Sequence, residues 1–132
     1  IYLSSGLHSG GQAKLQQLET DPTKISYSDS KLHVLLLSMA VARLWPAVYS
    51  NCVKPGWVPT KMGGAGAPDN LEQGYQTQCW LATSDDAAAK VSGKYFFHQH
   101  QKHFNSVAAD EVLQDKFLTI CEKITGVRFL NV

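Results

Sequence analysis

One apolar stripe constrains this chain more than any other feature. Leu32, Leu35, Leu36, Met39, Val41, Ala42 and Leu44 recur at helical spacing and are cut off by Pro46. The stretch from Tyr27 therefore reads as a long helix with one broad buried face, capped by Ser26 or Ser28 and with Asp29 favourably placed in its first turn. Short strand-like runs flank it, at residues 1–4 and 49–53. Two strands joined by a helix of this length lie in parallel, because a tight hairpin is excluded.

The rest of the chain continues the alternation. Residues 6–22 read as a polar loop, with Gly10 and Gly11 as its flexible point and a brief helix at 14–19. Residues 60–70, rich in Gly and Ala, read as a mobile connection before a helix at about 71–83. Gly93 introduces a third strand at 94–97, and the final helix, about 108–124, is followed by Gly126 where a helix-ending glycine belongs. Three strands and three main helices predict an α/β fold with a Rossmann-like, doubly wound parallel sheet.

Composition sets outer limits. The chain has 132 residues, 44% hydrophobic and 17% charged, enough for one domain with a real core. A formal charge of +1 with scattered basic residues gives no footprint for nucleic acid. No apolar run reaches the roughly 18 residues of a membrane span. Cys52, Cys79 and Cys121 are odd in number and far apart, which predicts buried free thiols in a reducing compartment, the cytoplasm.

The chemistry-bearing residues gather at one edge. Tyr27 and Lys31 stand one helical turn apart, so phenol and ammonium can address one point, where the cation favours the ionised phenol of a proton-transfer device. The spacing alone is common; its context is what counts. Ser4 and Ser5 end the first strand, and the second runs into Pro55-Gly56-Trp57-Val58-Pro59-Thr60. In an open parallel sheet, ligands bind outside the carboxyl ends of the strands, which is where these segments and the start of the Tyr27 helix converge.

Together with Met62-Gly63-Gly64 and Ser92-Gly93-Lys94-Tyr95-Phe96, these pieces resemble the short-chain dehydrogenase/reductase family over nearly the whole chain. The stretch from Trp80-Leu81-Ala82-Thr83 to Gly93-Lys94-Tyr95-Phe96 is similar to its retinol-dehydrogenase-like and carbonyl-reducing branch. The resemblance implies an oxidoreductase that uses NAD or NADP to interconvert a small-molecule carbonyl and an alcohol. It implies Tyr27 as general acid/base, Lys31 as its partner and a ligand of the nicotinamide ribose, and Ser5, rather than Ser4, as holder of the substrate oxygen. Pro55, Gly56, Val58 and Thr60 would wall the nicotinamide, and the segment from Met62 to Pro68 with the helix after it would form a substrate lid. A homodimer or homotetramer paired through the Tyr27 helix is implied by the same likeness.

The family's glycine-rich dinucleotide loop has no counterpart here, nor has the residue that selects NAD or NADP, nor the asparagine of its proton relay. Gly6 to Gly11 reads as loop flexibility instead. Ile1 begins inside a strand with no initiator methionine, cap or turn before it. Residues 1–132 are thus expected to be the C-terminal catalytic half of a dinucleotide-binding domain whose N-terminal half is missing, with one unpaired edge on the first strand. The rival reading is a non-catalytic binding or regulatory protein of the same fold; a third is an unrelated small α/β domain. His98, His100 and His103 invite a metal, but without nearby thiolates or carboxylates they read as a surface cluster on a polar strand end, and no metal site is expected. His8, beside the serines, reads as a loop histidine before a substrate contact, and Trp57 and Trp80 as core or pocket walls.

Overall fold

The long helix forms where the apolar stripe places it. In the computed structural model, which describes residues 1–129, it is α2, Tyr27–Leu44, preceded by the short α1, Leu15–Thr20. Ser26 is its N-cap: the Ser26 hydroxyl accepts from the Asp29 amide and the Asp29 carboxylate accepts from the Ser26 amide, a complete capping box. Leu32, Leu35, Leu36 and Ala40 are fully buried along one face. The helix ends at Trp45, ahead of Pro46.

The sheet has strand order β1-β2-β3-β4, with β1 Tyr2–Leu3, β2 Asn51–Val53, β3 Lys94–Phe97 and β4 His100–Lys102. The first three strands are parallel, in register Leu3↔Val53 and Val53↔Phe96. Cys52 and Tyr95 face α2 and join Leu32, Leu35, Met39 and Ala108 in the core. Phe96 points the other way and meets Trp80 of α3, Gln73–Thr83, edge-on at 5.8 Å. Helices therefore cover both faces, as a doubly wound sheet requires. The last helix, α4, Glu111–Thr125, packs beside α2, is capped by Asp110 and ends at Gly126 in the left-handed region, φ 72°.

Four expectations need correction. A fourth strand is present: residues 98–103, read as a polar strand end, form a hairpin in which β4 runs antiparallel to β3. Its turn uses His98 and Gln99 at φ 47° and 64°, positions that Asn and Gly usually fill, so the usual turn signal is missing from the sequence. Strand β1 is an exposed edge rather than a buried strand, with Ile1 and Leu3 about half exposed. Only β2 pairs with it among the described residues. Gly6–Gly10 coils into a 3-10 turn, and Gly11 is not a hinge: a Cβ there would stand 2.4 Å from the Ser28 carbonyl oxygen. All three cysteines are free, but Cys79 lies on the exposed face of α3 and only Cys52 is fully buried.

Candidate active site

Strand β1 and helix α2 are stitched together where the first strand ends. The Ser4 hydroxyl, buried, donates to the Lys31 carbonyl at 2.9 Å, and the Lys31 ammonium donates to the Leu3 carbonyl at 3.3 Å. Alternation along the strand then turns Ser5 outward. Its hydroxyl oxygen accepts from the Leu7 amide at 3.2 Å, capping the 3-10 turn, and its proton has no acceptor among the described residues. Tyr27 opens α2 with its ring half exposed, and the Lys31 ammonium stands 5.5 Å from the ring centroid. Ser5, Tyr27 and Lys31 thus occupy one edge of the sheet.

Behind this edge the backbone is pinned by two buried side chains. The Asp29 carboxylate accepts from the Gln12 amide at 2.8 Å and the Ser26 amide at 3.2 Å, and pairs with the Lys14 ammonium at 3.0 Å. The Gln12 amide bond leads in holding this carboxyl well below the usual range, with burial opposing and Lys14 adding to it. His8, in the 3-10 turn that follows Ser5, is buried. Its Nε2 accepts from the Asn105 amide at 3.2 Å, so Nδ1 carries the proton and donates to the Ser5 carbonyl at 2.7 Å. Burial pushes its pKa down, the Ser5 bond opposes, and the charge of Lys54 lowers it further.

The second strand delivers Pro55 and Gly56 beside the end of β1, since the Ser4 amide still donates to the Val53 carbonyl at 2.9 Å. Gly56 sits at φ 96°, and a Cβ there would meet Asp69 Oδ2 at 2.8 Å. Asp69 accepts from the Trp57 amide at 2.6 Å, Trp57 Nε1 donates to the Gly63 carbonyl, and the Thr60 hydroxyl accepts from the Gly63 amide. The 60–70 segment is therefore folded back on the strand end by specific bonds. Val58 packs its side chain on Gly74 of α3, and its carbonyl accepts from the Thr60 amide at 2.8 Å. Trp57 is largely exposed rather than part of the core. No group of three His, Cys, Asp or Glu side chains among the described residues is placed to hold a metal.

Known proteins are similar to this chain in sequence. The short-chain dehydrogenase chyC of Penicillium rubens is 35% identical over 136 residues, covering 97% of this chain and 52% of that protein. The uncharacterized oxidoreductase AN7799 of Emericella nidulans is 33% identical, covering 96% and 49%. Dehydrogenase/reductase SDR family member 12 of Bos taurus is 33% identical, covering 67% and 34%. The chain belongs to the short-chain dehydrogenase/reductase family. It spans about half the length of the curated relatives it matches. No family model matches it. A crystal structure of an uncharacterized protein from Mycobacterium paratuberculosis shares the fold, with TM-score 0.70 and 19% identity over 97% of this chain and 50% of that one.

The family implies a nicotinamide dinucleotide, and the donors at this edge fit one end of it. The Tyr27 hydroxyl, the Thr60 hydroxyl proton and the remaining Lys31 protons have no acceptor among the described residues, which suits a ribose and a carboxamide. The 3-10 turn does not fit the pyrophosphate end. Its Leu7, His8 and Gly11 amides are already donated to Ser5 Oγ, the Ser5 carbonyl and the His8 carbonyl. Two residues that shape the edge escaped the sequence reading, Asp69 and Lys54. Lys54 directly precedes Pro55, a position that carries it to the strand end and could have marked it.

Proposed function

We propose that the chain carries the proton-transfer half of an NAD(P)-dependent oxidoreductase that interconverts a carbonyl and an alcohol. The observation that carries this reading is the stitched corner of β1 and α2, where Lys31 reaches the Leu3 carbonyl while staying beside the Tyr27 ring and Ser5 faces outward. When bound, the nicotinamide supplies or accepts the hydride. The Ser5 hydroxyl donates to the carbonyl oxygen and polarises it. Tyr27 gives its phenolic proton to that oxygen during reduction and takes it back during oxidation. Lys31 steadies the phenolate that forms and binds the ribose. Pro55, Gly56, Val58 and Thr60 line the nicotinamide, with Thr60 reaching its carboxamide. The dinucleotide-holding part of the domain joins at the free edge of β1.

Cofactor-dependent absorbance change over a panel of carbonyls tests the reading. Tyr27→Phe removes the proton while keeping the ring, and should abolish turnover with folding and cofactor affinity retained. Dinucleotide binding without turnover by the unaltered protein would instead favour a non-catalytic binding role.

A further inference from the structure

Ten lysines are spread through the chain, and only Lys31 and Lys54 are half-buried; the other eight are exposed. Lys31 has the Leu3 carbonyl. Lys54 has no carboxylate, carbonyl or hydroxyl acceptor among the described residues, and its ammonium lies over the Phe97 ring, 4.3 Å from the centroid. Its stem follows an apolar surface, as lysine stems commonly do, with the ammonium over that ring. Its Cε and Nζ lie 3.2 Å from where a Cβ on Gly6 would stand. The absent side chain of Gly6 is what lets the ammonium lie against the residue that follows Ser5.

The backbone beneath it is fixed, because the Lys54 amide donates to the Phe96 carbonyl at 2.9 Å. The groups around the ammonium offer it no negative charge. His8 is neutral and already bonded on both ring nitrogens. Tyr95, against His8, is held protonated by burial. Asp69, the carboxylate beyond Pro55 and Gly56, accepts from the Trp57 amide and lies outside ion-pair distance of Lys54. An ammonium is a compact point charge, and one without a counter-ion is a receptor for an anion.

We propose that Lys54 is a specificity-determining residue that receives a carboxylate carried by the substrate next to its reacting carbonyl. The proposal rests on the assignment of Ser5 and Tyr27 as the reaction centre. Gly6, against which the ammonium lies, directly follows Ser5, whose hydroxyl takes the carbonyl oxygen. An α-keto acid places its carboxylate and its carbonyl on adjacent carbons, so neighbouring positions on this edge can receive the two groups.

The test compares benzoylformate with its neutral methyl ester, using the intact protein and a reduced nicotinamide. Lys54→Met keeps the stem and its packing on Phe97 while removing the charge. The expected result is a fall of about tenfold or more in kcat/KM for benzoylformate, carried mainly by KM, with the ester changed less than about twofold. Lys54→Arg should recover most of the loss. Equal effects on acid and ester, or none on either, overturn the proposal. Titration with benzoylformate, followed at the Gly6 and Lys54 amide resonances, supplies a readout independent of turnover. Shifts in the unaltered protein that vanish in Lys54→Met are expected, and their absence in both overturns the proposal. Tyr27→Phe separates the two ideas: it should stop turnover of acid and ester alike, and retained turnover there would count against the reaction centre rather than against Lys54.

Discussion

Asp29 shows how one buried carboxylate can hold a reaction edge in place. It closes the capping box of α2 two residues after Tyr27 and ties down the Gln12 amide and Lys14. Asp29→Ala should cost about 1–2 kcal/mol, read as a lowered urea midpoint. Its folded-state pKa lies below the unfolded value of about 3.9, so its contribution is complete above that value and fades as pH falls below it. Unfolding measured at descending pH should show this loss, and Asp29→Asn should flatten it. His8 has the same sign at a higher pH. Burial lowers its pKa from the usual 6.5, so below that pH the unfolded chain takes up the proton first and stability declines. His8→Gln, which does not titrate, should remove the part of the decline that sets in below pH 6.5. An unchanged profile would mean that the ring is not buried as described.

At the level of elements, the residues that form α2, β3 and α4 announced themselves, because their signals are local. The apolar stripe, the Ser26 cap, the Pro46 stop and Gly126 each act within one or two turns of the chain. What escaped was set by contacts distant in sequence. The turn at His98 and Gln99 is held by Thr77 of α3, whose hydroxyl accepts from the Gln99 amide at 2.9 Å, and nothing adjacent in the chain reports that bond. Gly11 makes the same point, since its small size serves a close approach to Ser28 rather than flexibility. Gly11→Ala should therefore destabilise by about 1–3 kcal/mol and disturb the start of α2. Gly10→Ala, with nothing within 4 Å, should stay within about 0.5 kcal/mol. Equal urea midpoints for the two variants would contradict this packing.

The whole molecule places its chemistry by topology. Parallel pairing of β1 with β2 puts Ser5 and Pro55-Gly56 at the same edge, and the return through α2 brings Tyr27 and Lys31 to it. That convergence was legible from the order of strands and helices, because the carboxyl ends of parallel strands share a side. The orientation of individual side chains was not. The choice of Ser5 over Ser4 came from the family likeness and not from spacing, since the one-residue register that buries Ser4 is set by the sheet, and the environment of Lys54 depended on Gly6, far away in sequence.

In the proposed reaction Tyr27 moves the proton of a nicotinamide-dependent carbonyl reduction. Its most direct measurement is single-turnover reduction by the Tyr27→Phe variant, with circular dichroism and dinucleotide affinity measured on the same sample. A loss of the chemical step of about 100-fold or more, with fold and affinity unchanged, is the predicted result. Reduction at the unaltered rate in that variant would rule out Tyr27 as the proton carrier.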